Sequence, residues 1–276
     1  GPWVASPKLE EHLITASMTP AFRELVQRLE EPIGRSLKAD TSRYGISRST
    51  RLARKYPADE SQLDEVAGWF GVKKPQVHIV ETLPNMLGVM VDSPPLLVVG
   101  EPMYAQMTPA QKAFVFAWGC KLMRSGLVPL LSVAEDALPA LWVSIIQQFE
   151  PSYFVSGVSV EATSQFAYAL SRNVSKKVRE EIFGLALECS SDPNISVPSL
   201  YTELMGYADH TALLASGSIV DAIKLHWMLH AGAQSPLTSG SQIMDVLSES
   251  PAMARLCEFI VTGPLAKCLA FVEGSR

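Results

Sequence analysis

The sequence predicts an α+β domain, predominantly helical with a small mixed β-sheet. Three observations carry this. Capped segments with apolar residues at three- and four-residue spacing occupy both ends of the chain. A β-branched stretch lies between residues 77 and 100. The composition, 47% hydrophobic and 18% charged over 276 residues, is that of a chain with a sizeable core. The same figures exclude disordered, collagen-like and low-complexity classes. The net charge of −5, from 23 Lys and Arg against 28 Asp and Glu, supplies no global basic field for nucleic acid or anionic lipid.

Taken in order, Thr19-Pro20 is an N-cap and first-turn pair, and Phe22, Leu25, Val26, Leu29 and Ile33 follow as one apolar stripe. Pro32 is expected to end or bend that helix. A second helix is expected from Ser61, with Leu63, Val66, Ala67 and Phe70 inward and Gly71 as its stop. Residues 77–80, 87–91 and Leu96–Gly100 read as three short strands, the last by its β-branched content and glycine stop. Thr108-Pro109-Ala110-Gln111 is a capping box, and the stretch 113–123 behind it is apolar nearly all round, as a central buried helix should be. Further helices are expected over 132–149, 159–172, 175–190, 198–216, 218–231, 241–248 and 251–272, with breaks at Gly157, Asp192-Pro193, Gly217 and Gly232.

Residues 1–18 read as a lead-in whose Gly1-Pro2-Trp3 start is a tag-cleavage scar on part of a longer polypeptide. Residues 19–276 read as a single domain with three parts: a basic segment at 35–55, the sheet and central helix at 76–124, and a helical part at 125–276. The most apolar uncharged stretch, 137–149, is short of the roughly 20 residues that span a bilayer. Cys120, Cys189, Cys257 and Cys268 are far apart and form no CxxC pair, which points to a reduced, cytoplasmic chain.

The order of helix, short strands, the Leu96–Gly100 strand and a capped buried helix resembles the HtpX-type zinc metallopeptidases, a gluzincin architecture. Val77-His78-Ile79, Asn85 and Leu96–Gly100 stand in the places of that family's extended segment, asparagine and strand. Residues 108–124 stand where it carries His-Glu-x-x-His, and Met205-Gly206-Tyr207-Ala208-Asp209 where it carries Glu-x-x-Ala-Asp. The resemblance spans about 19–230 and implies a metallopeptidase-like core. It places Trp118 at the first His, Gly119 at the Glu, Leu122 at the second His and Met205 at the third ligand. A helical His-x-x-x-His works because i and i+4 share a face and reach one Zn²⁺, while the Glu takes a proton from the bound water. Trp and Leu bind no metal, Gly offers no base, and a lone thioether is a poor zinc ligand. No His occurs between His78 and His210.

The resemblance therefore implies a catalytically inactive pseudo-metallopeptidase without zinc or another cofactor. Its role would be that of a protein-interaction or regulatory module, as in C-terminal parts of long bacterial tetratricopeptide-repeat proteins. The partner is then another protein or another part of the same polypeptide, taken up as a strand along Leu96–Gly100 beside the helix of Trp118. Asp209 is expected to make a structural hydrogen bond.

Two alternatives rest on other residues. His226 and His230 share a helix face, with Asp221 a little over one turn earlier and Asp209 and His210 on the preceding helix, a pattern open to a metal-dependent hydrolase. Residues 35–55 hold seven basic side chains (Arg35, Lys38, Arg43, Arg48, Arg51, Arg54, Lys55) against Asp40 alone, a local charge of +6. If helical, Arg48, Arg51, Arg54 and Lys55 form a cationic stripe flanked by Tyr44 and Tyr56. The second alternative is therefore a nucleic-acid-binding module through 35–55, although few stacking aromatics accompany the stripe and an acidic protein surface suits it better. No catalytic constellation is evident. Cys120 reads as a buried thiol, and Glu30-Glu31 and Glu180-Glu181 are adjacent residues that point about 100° apart on a helix.

Overall fold

The computed structural model describes residues 6–37, 41–232 and 239–274. Helix α1 (Pro7–Leu13) leads into α2 (Pro20–Ser36), which Thr19 caps by accepting from the Phe22 amide at 3.4 Å. Of the two outcomes expected at Pro32, an end does not occur, because α2 runs on for a further turn. The donor that proline removes is the one due to the Arg28 carbonyl, and Arg28 is exposed, so water can take its place. Residues 6–18, set apart as a lead-in by the sequence, belong to the same body, because Leu9 and Leu13 of α1 are in the main core. Short helix α3 (Leu52–Lys55) and α4 (Glu60–Phe70) follow, and α4 ends on Gly71 at φ 62°, the left-handed geometry that favours glycine.

Strands β1 (Gln76–Val80), β2 (Leu87–Met90) and β3 (Leu96–Gly100) form a mixed sheet in the order β1-β3-β2. β1 is parallel to β3, with Gln76 opposite Leu96 and Val80 opposite Gly100, and β2 is antiparallel to β3, with Leu87 opposite Val99. All of β3 is buried because both faces are covered. Leu97 and Val99 belong to the main core, whereas Leu96 and Val98 join Val80 and Met90 in a second cluster beneath Tyr44 and Ile46. At the end of β3 a Cβ on Gly100 would lie 2.3 Å from the Pro84 carbonyl oxygen, so the β1–β2 connection can cross there only over glycine.

The remainder is helical: α5 (Glu101–Tyr104), α6 (Pro109–Arg124), α7 (Val128–Leu131), α8 (Leu138–Gln147), α9 (Val160–Ser171), α10 (Lys176–Ser191), α11 (Leu200–Ser216), α12 (Ile219–Ala231), α13 (Gly240–Glu249), α14 (Pro251–Val261) and α15 (Pro264–Gly274). The helix expected over 132–149 is shorter and starts at Leu138, because Pro139 suits a first turn and not an interior one. The helix expected over 251–272 is two, divided at Gly263 with φ 102° and followed by Pro264. α6 packs against α4, α11 and α12, and Gly119 seats it on β3, where a Cβ would meet Leu97 Cδ2 at 3.1 Å. No helix among the described residues is long and apolar enough to cross a membrane.

The two kinds of glycine give a stability test. Gly68 lies in α4, where an added methyl would meet nothing within 4 Å, so Gly68→Ala should raise the unfolding free energy by about 1 kcal/mol through helix propensity. Gly100→Ala should lower it by about 1–3 kcal/mol, since a backbone carbonyl cannot yield as a side chain does. Urea denaturation of both variants reads the difference.

Candidate functional site

Helix α6, which carries Trp118, Gly119 and Leu122, is built from its cap upward. Thr108 accepts from the Gln111 amide at 3.2 Å, and the Gln111 side chain accepts from the Thr108 amide at 2.9 Å. The box is tied to α12, because the Thr108 hydroxyl donates to Asp221 Oδ1 at 2.9 Å and Ser218 donates to Asp221 Oδ2 at 2.6 Å. Asp221 is thus spent on two helix starts and not on the histidines that follow it. Further along α6, Trp118 and Leu122 are enclosed in the main core, and Gly119 is pressed against Leu97. Met205 on α11 is half-buried at the margin of the same core and lines a small cavity with Tyr201, His230 and Glu249.

The cleft expected along Leu96–Gly100 is not formed. β3 is the middle strand with a neighbour on each side, so it has no edge to offer, and α6 rests directly on it. On the outer side of β1 the Ile79 amide donates to the Thr50 carbonyl at 2.7 Å and Arg51 bridges His78. β1 and β2 are the two edge strands, and the 50–51 segment covers part of the outer side of β1.

His226 and His230 share α12 but hold different partners. His226 is buried with Nε2 3.6 Å from Asp209 Oδ2 on α11, and Phe114 of α6 meets its ring edge-on at 5.9 Å. His230 reaches Glu249 Oε2 of α13 at 3.2 Å near the surface. His210 turns away from both, its Nδ1 3.2 Å from the Leu13 carbonyl and its ring stacked on Phe259 at 3.9 Å. Among the described residues no three or more His, Cys, Asp or Glu side chains are grouped to hold a metal. At 3.6 Å the Asp209–His226 approach is longer than a hydrogen bond, so the structural bond expected of Asp209 is not made there. Burial raises the Asp209 carboxyl well above the usual carboxylate range and pushes the His226 imidazole down to about 4, so it disfavours charge on both groups. Cys120 is equally enclosed, and burial pushes its thiol up to about 12, which leaves no thiolate for nucleophilic chemistry.

The basic segment is not a helical stripe. Residues 41–55 run as a short turn of 3₁₀ helix, bends and the four-residue α3, and cover the outer face of the sheet. Arg48, Arg51 and Arg54 are exposed, whereas Lys55 is drawn inward to Glu101 and to Glu81 at 3.0 Å. The ion pairs satisfy the lysine and remove it from the exposed set. Lys38 lies outside the described residues, as does the Arg43 side chain.

The structure also assembles a site that sequence reasoning missed. Lys121, on the helix that is otherwise apolar all round, is 2% exposed, with Nζ 2.5 Å from Glu10 Oε2 of α1 and 4.2 Å over the Tyr207 ring. Tyr207 donates to the other Glu10 oxygen, and Ser125 donates to the Tyr207 hydroxyl at 3.4 Å. Burial, with Arg124 and Arg23 nearby, holds the Lys121 ammonium below the ordinary lysine range in spite of Glu10. These groups line a cavity of about 440 Å³ together with Arg23, Arg28 and Arg124. A lysine inside an apolar helix was the available signal, but its counter-ion lies in the segment taken for a lead-in.

Removing one member of this pair differs from removing both. Glu10→Gln should lower stability by about 3–5 kcal/mol, since it leaves a buried ammonium without its counter-charge, and Glu10→Gln with Lys121→Met should recover most of that loss in denaturant titrations. Asp209 and His226 respond to pH with opposite signs. Unfolded Asp209 ionises at ordinary pH while the folded form resists it, so Asp209→Asn should melt higher at about pH 7, with the gain gone below about pH 4. Unfolded His226 takes up a proton as pH falls below 6.5 while the folded form does not until about 4. Wild-type stability should therefore fall across that interval by on the order of 3 kcal/mol from this group, a loss that His226→Leu should abolish. No known protein family, curated protein or solved structure matches this chain.

Proposed function

We propose that the chain is a catalytically inactive, metallopeptidase-like domain that works as a protein-interaction module, for a separate protein or for another part of its own polypeptide. The observation that carries this reading is the burial of Trp118, Gly119 and Leu122 on α6, the positions where the resemblance puts the metal ligands and the base. Side chains that fill a core cannot also hold a hydrolytic water. Met205, at the position the resemblance gives the third ligand, packs at the margin of that core and offers only a thioether.

The binding role draws on two exposed features. Arg48, Arg51 and Arg54 are exposed on the segment that covers the sheet, and β2 has one side without a neighbouring strand. An acidic segment suits the arginines by charge on the β1 side of the sheet, and strand addition along Leu87–Met90 would be a separate contact on the opposite edge. Electrostatics of this kind acts on the association rate and falls with salt.

Affinity capture from cell extract, followed by titration of the purified partner, tests the reading. The expected result is an acidic partner that is not cleaved on prolonged incubation. Its association rate should drop at least about tenfold in an Arg48→Glu, Arg51→Glu, Arg54→Glu variant. Cleavage of the partner, or one equivalent of zinc in the purified protein, would remove the inactive-peptidase reading. Binding indifferent to the triple variant would remove the acidic-partner reading.

A further inference from the structure

The cavity between α1, α2, α6 and α11 has an internal charge imbalance. Lys121 is matched by Glu10 at 2.5 Å and Arg28 by Glu24 at 3.4 Å. Arg23 and Arg124 also line the cavity, and among the described residues neither has a carboxylate within ion-pair reach. Arg124 Nη1 donates at 2.5 Å to the Phe70 carbonyl, a neutral acceptor. Arg23 Nε is buried and has no hydrogen-bond partner. Burying a guanidinium N–H without an acceptor costs free energy that a bound acceptor restores. The walls thus carry an excess of about two positive charges, one of them with an unused donor, and Lys121 and Tyr207 supply further polar groups beside them.

We infer that this cavity binds a small phosphorylated molecule, its phosphate monoester dianion held by Arg23 and Arg124 beside the Lys121–Glu10–Tyr207 network. A dianion matches the excess of two charges, and guanidinium forks suit phosphate oxygens. The volume of about 440 Å³ falls within the range of small-molecule sites and exceeds what inorganic phosphate alone fills, so the organic part has room beside the Pro7 and Pro20 rims. This inference is independent of the protein-binding role, which uses the sheet side of the molecule.

Isothermal titration of the whole protein with inorganic phosphate, glycerol 1-phosphate and acetate tests it. Glycerol 1-phosphate is expected to bind with a Kd below about 1 mM, more tightly than inorganic phosphate, and acetate at least about tenfold more weakly. Arg23→Met should weaken the phosphate ester about tenfold or more, and Arg23→Lys, which keeps the charge and the aliphatic stem but loses the fork, by an intermediate factor. Arg48→Met, outside the cavity, should leave binding unchanged. The inference is overturned by the absence of saturable binding of the ester up to about 10 mM, by acetate binding as tightly as phosphate, or by an ester affinity that folded Arg23→Met and Arg23→Lys both retain.

Discussion

The structure depends on covering α6. A helix apolar on every side cannot meet water on any of them, so β3 beneath Gly119, α4, α11 and α12 are all placed against it. Lys121 is the charged side chain buried in the middle of that helix, and its burial dictates where the N-terminal segment goes. An ammonium that is 2% exposed needs a counter-charge, and α1 brings one through Glu10. The same ion pair makes one wall of the charged cavity, so the constraint on the core and the candidate ligand site have a common origin.

The second consequence of a covered α6 concerns chemistry. Positions that face each other across a helix turn can meet a metal only if the face they share is open to water and to other ligands. Here that face is filled by Trp118 and Leu122, and burial disfavours charge on the ionisable groups of α11 and α12: it raises the Asp209 carboxyl and lowers the His226 and His210 imidazoles to about 4. The lowering has a cost in acid, where unfolded imidazoles gain protons that the folded ones refuse. The chain has traded charge for packing throughout this region. Charge survives at its margins, on Arg48, Arg51 and Arg54 and in the cavity at Lys121.

Much of this was legible in the residues, and the reasons differ by element. The capping box at Thr108–Gln111 and the β-branched run Leu96–Gly100 are local signals, and both elements stand where they were expected. Pro32 left open whether its helix ends there, because a proline ends a helix only where its lost bond cannot be replaced, and exposure of Arg28 is a tertiary fact. Gly263-Pro264 was a local stop overlooked inside a long apolar pattern. The spacing of His226 and His230 correctly put both on one helix, but partners on α11 and α13 separate them, and no spacing rule reports partners. The pairing of Glu10 with Lys121 joins residues 111 apart in sequence, beyond the reach of any periodicity. The β-branched runs and the capped apolar stretch behind them implied a small sheet ahead of a buried helix, which the structure has. They did not report that β3, as the central strand, has no edge to offer.

If α6 is the scaffold on which the rest of the fold depends, native-state hydrogen exchange will show it. The amides from Phe114 to Leu122 should be the slowest in the protein, exchanging only through global unfolding, with an opening free energy equal to that from denaturant titration. Exchange of these amides through local openings, at free energies no higher than those of α13 to α15, would show instead that the scaffold lies elsewhere.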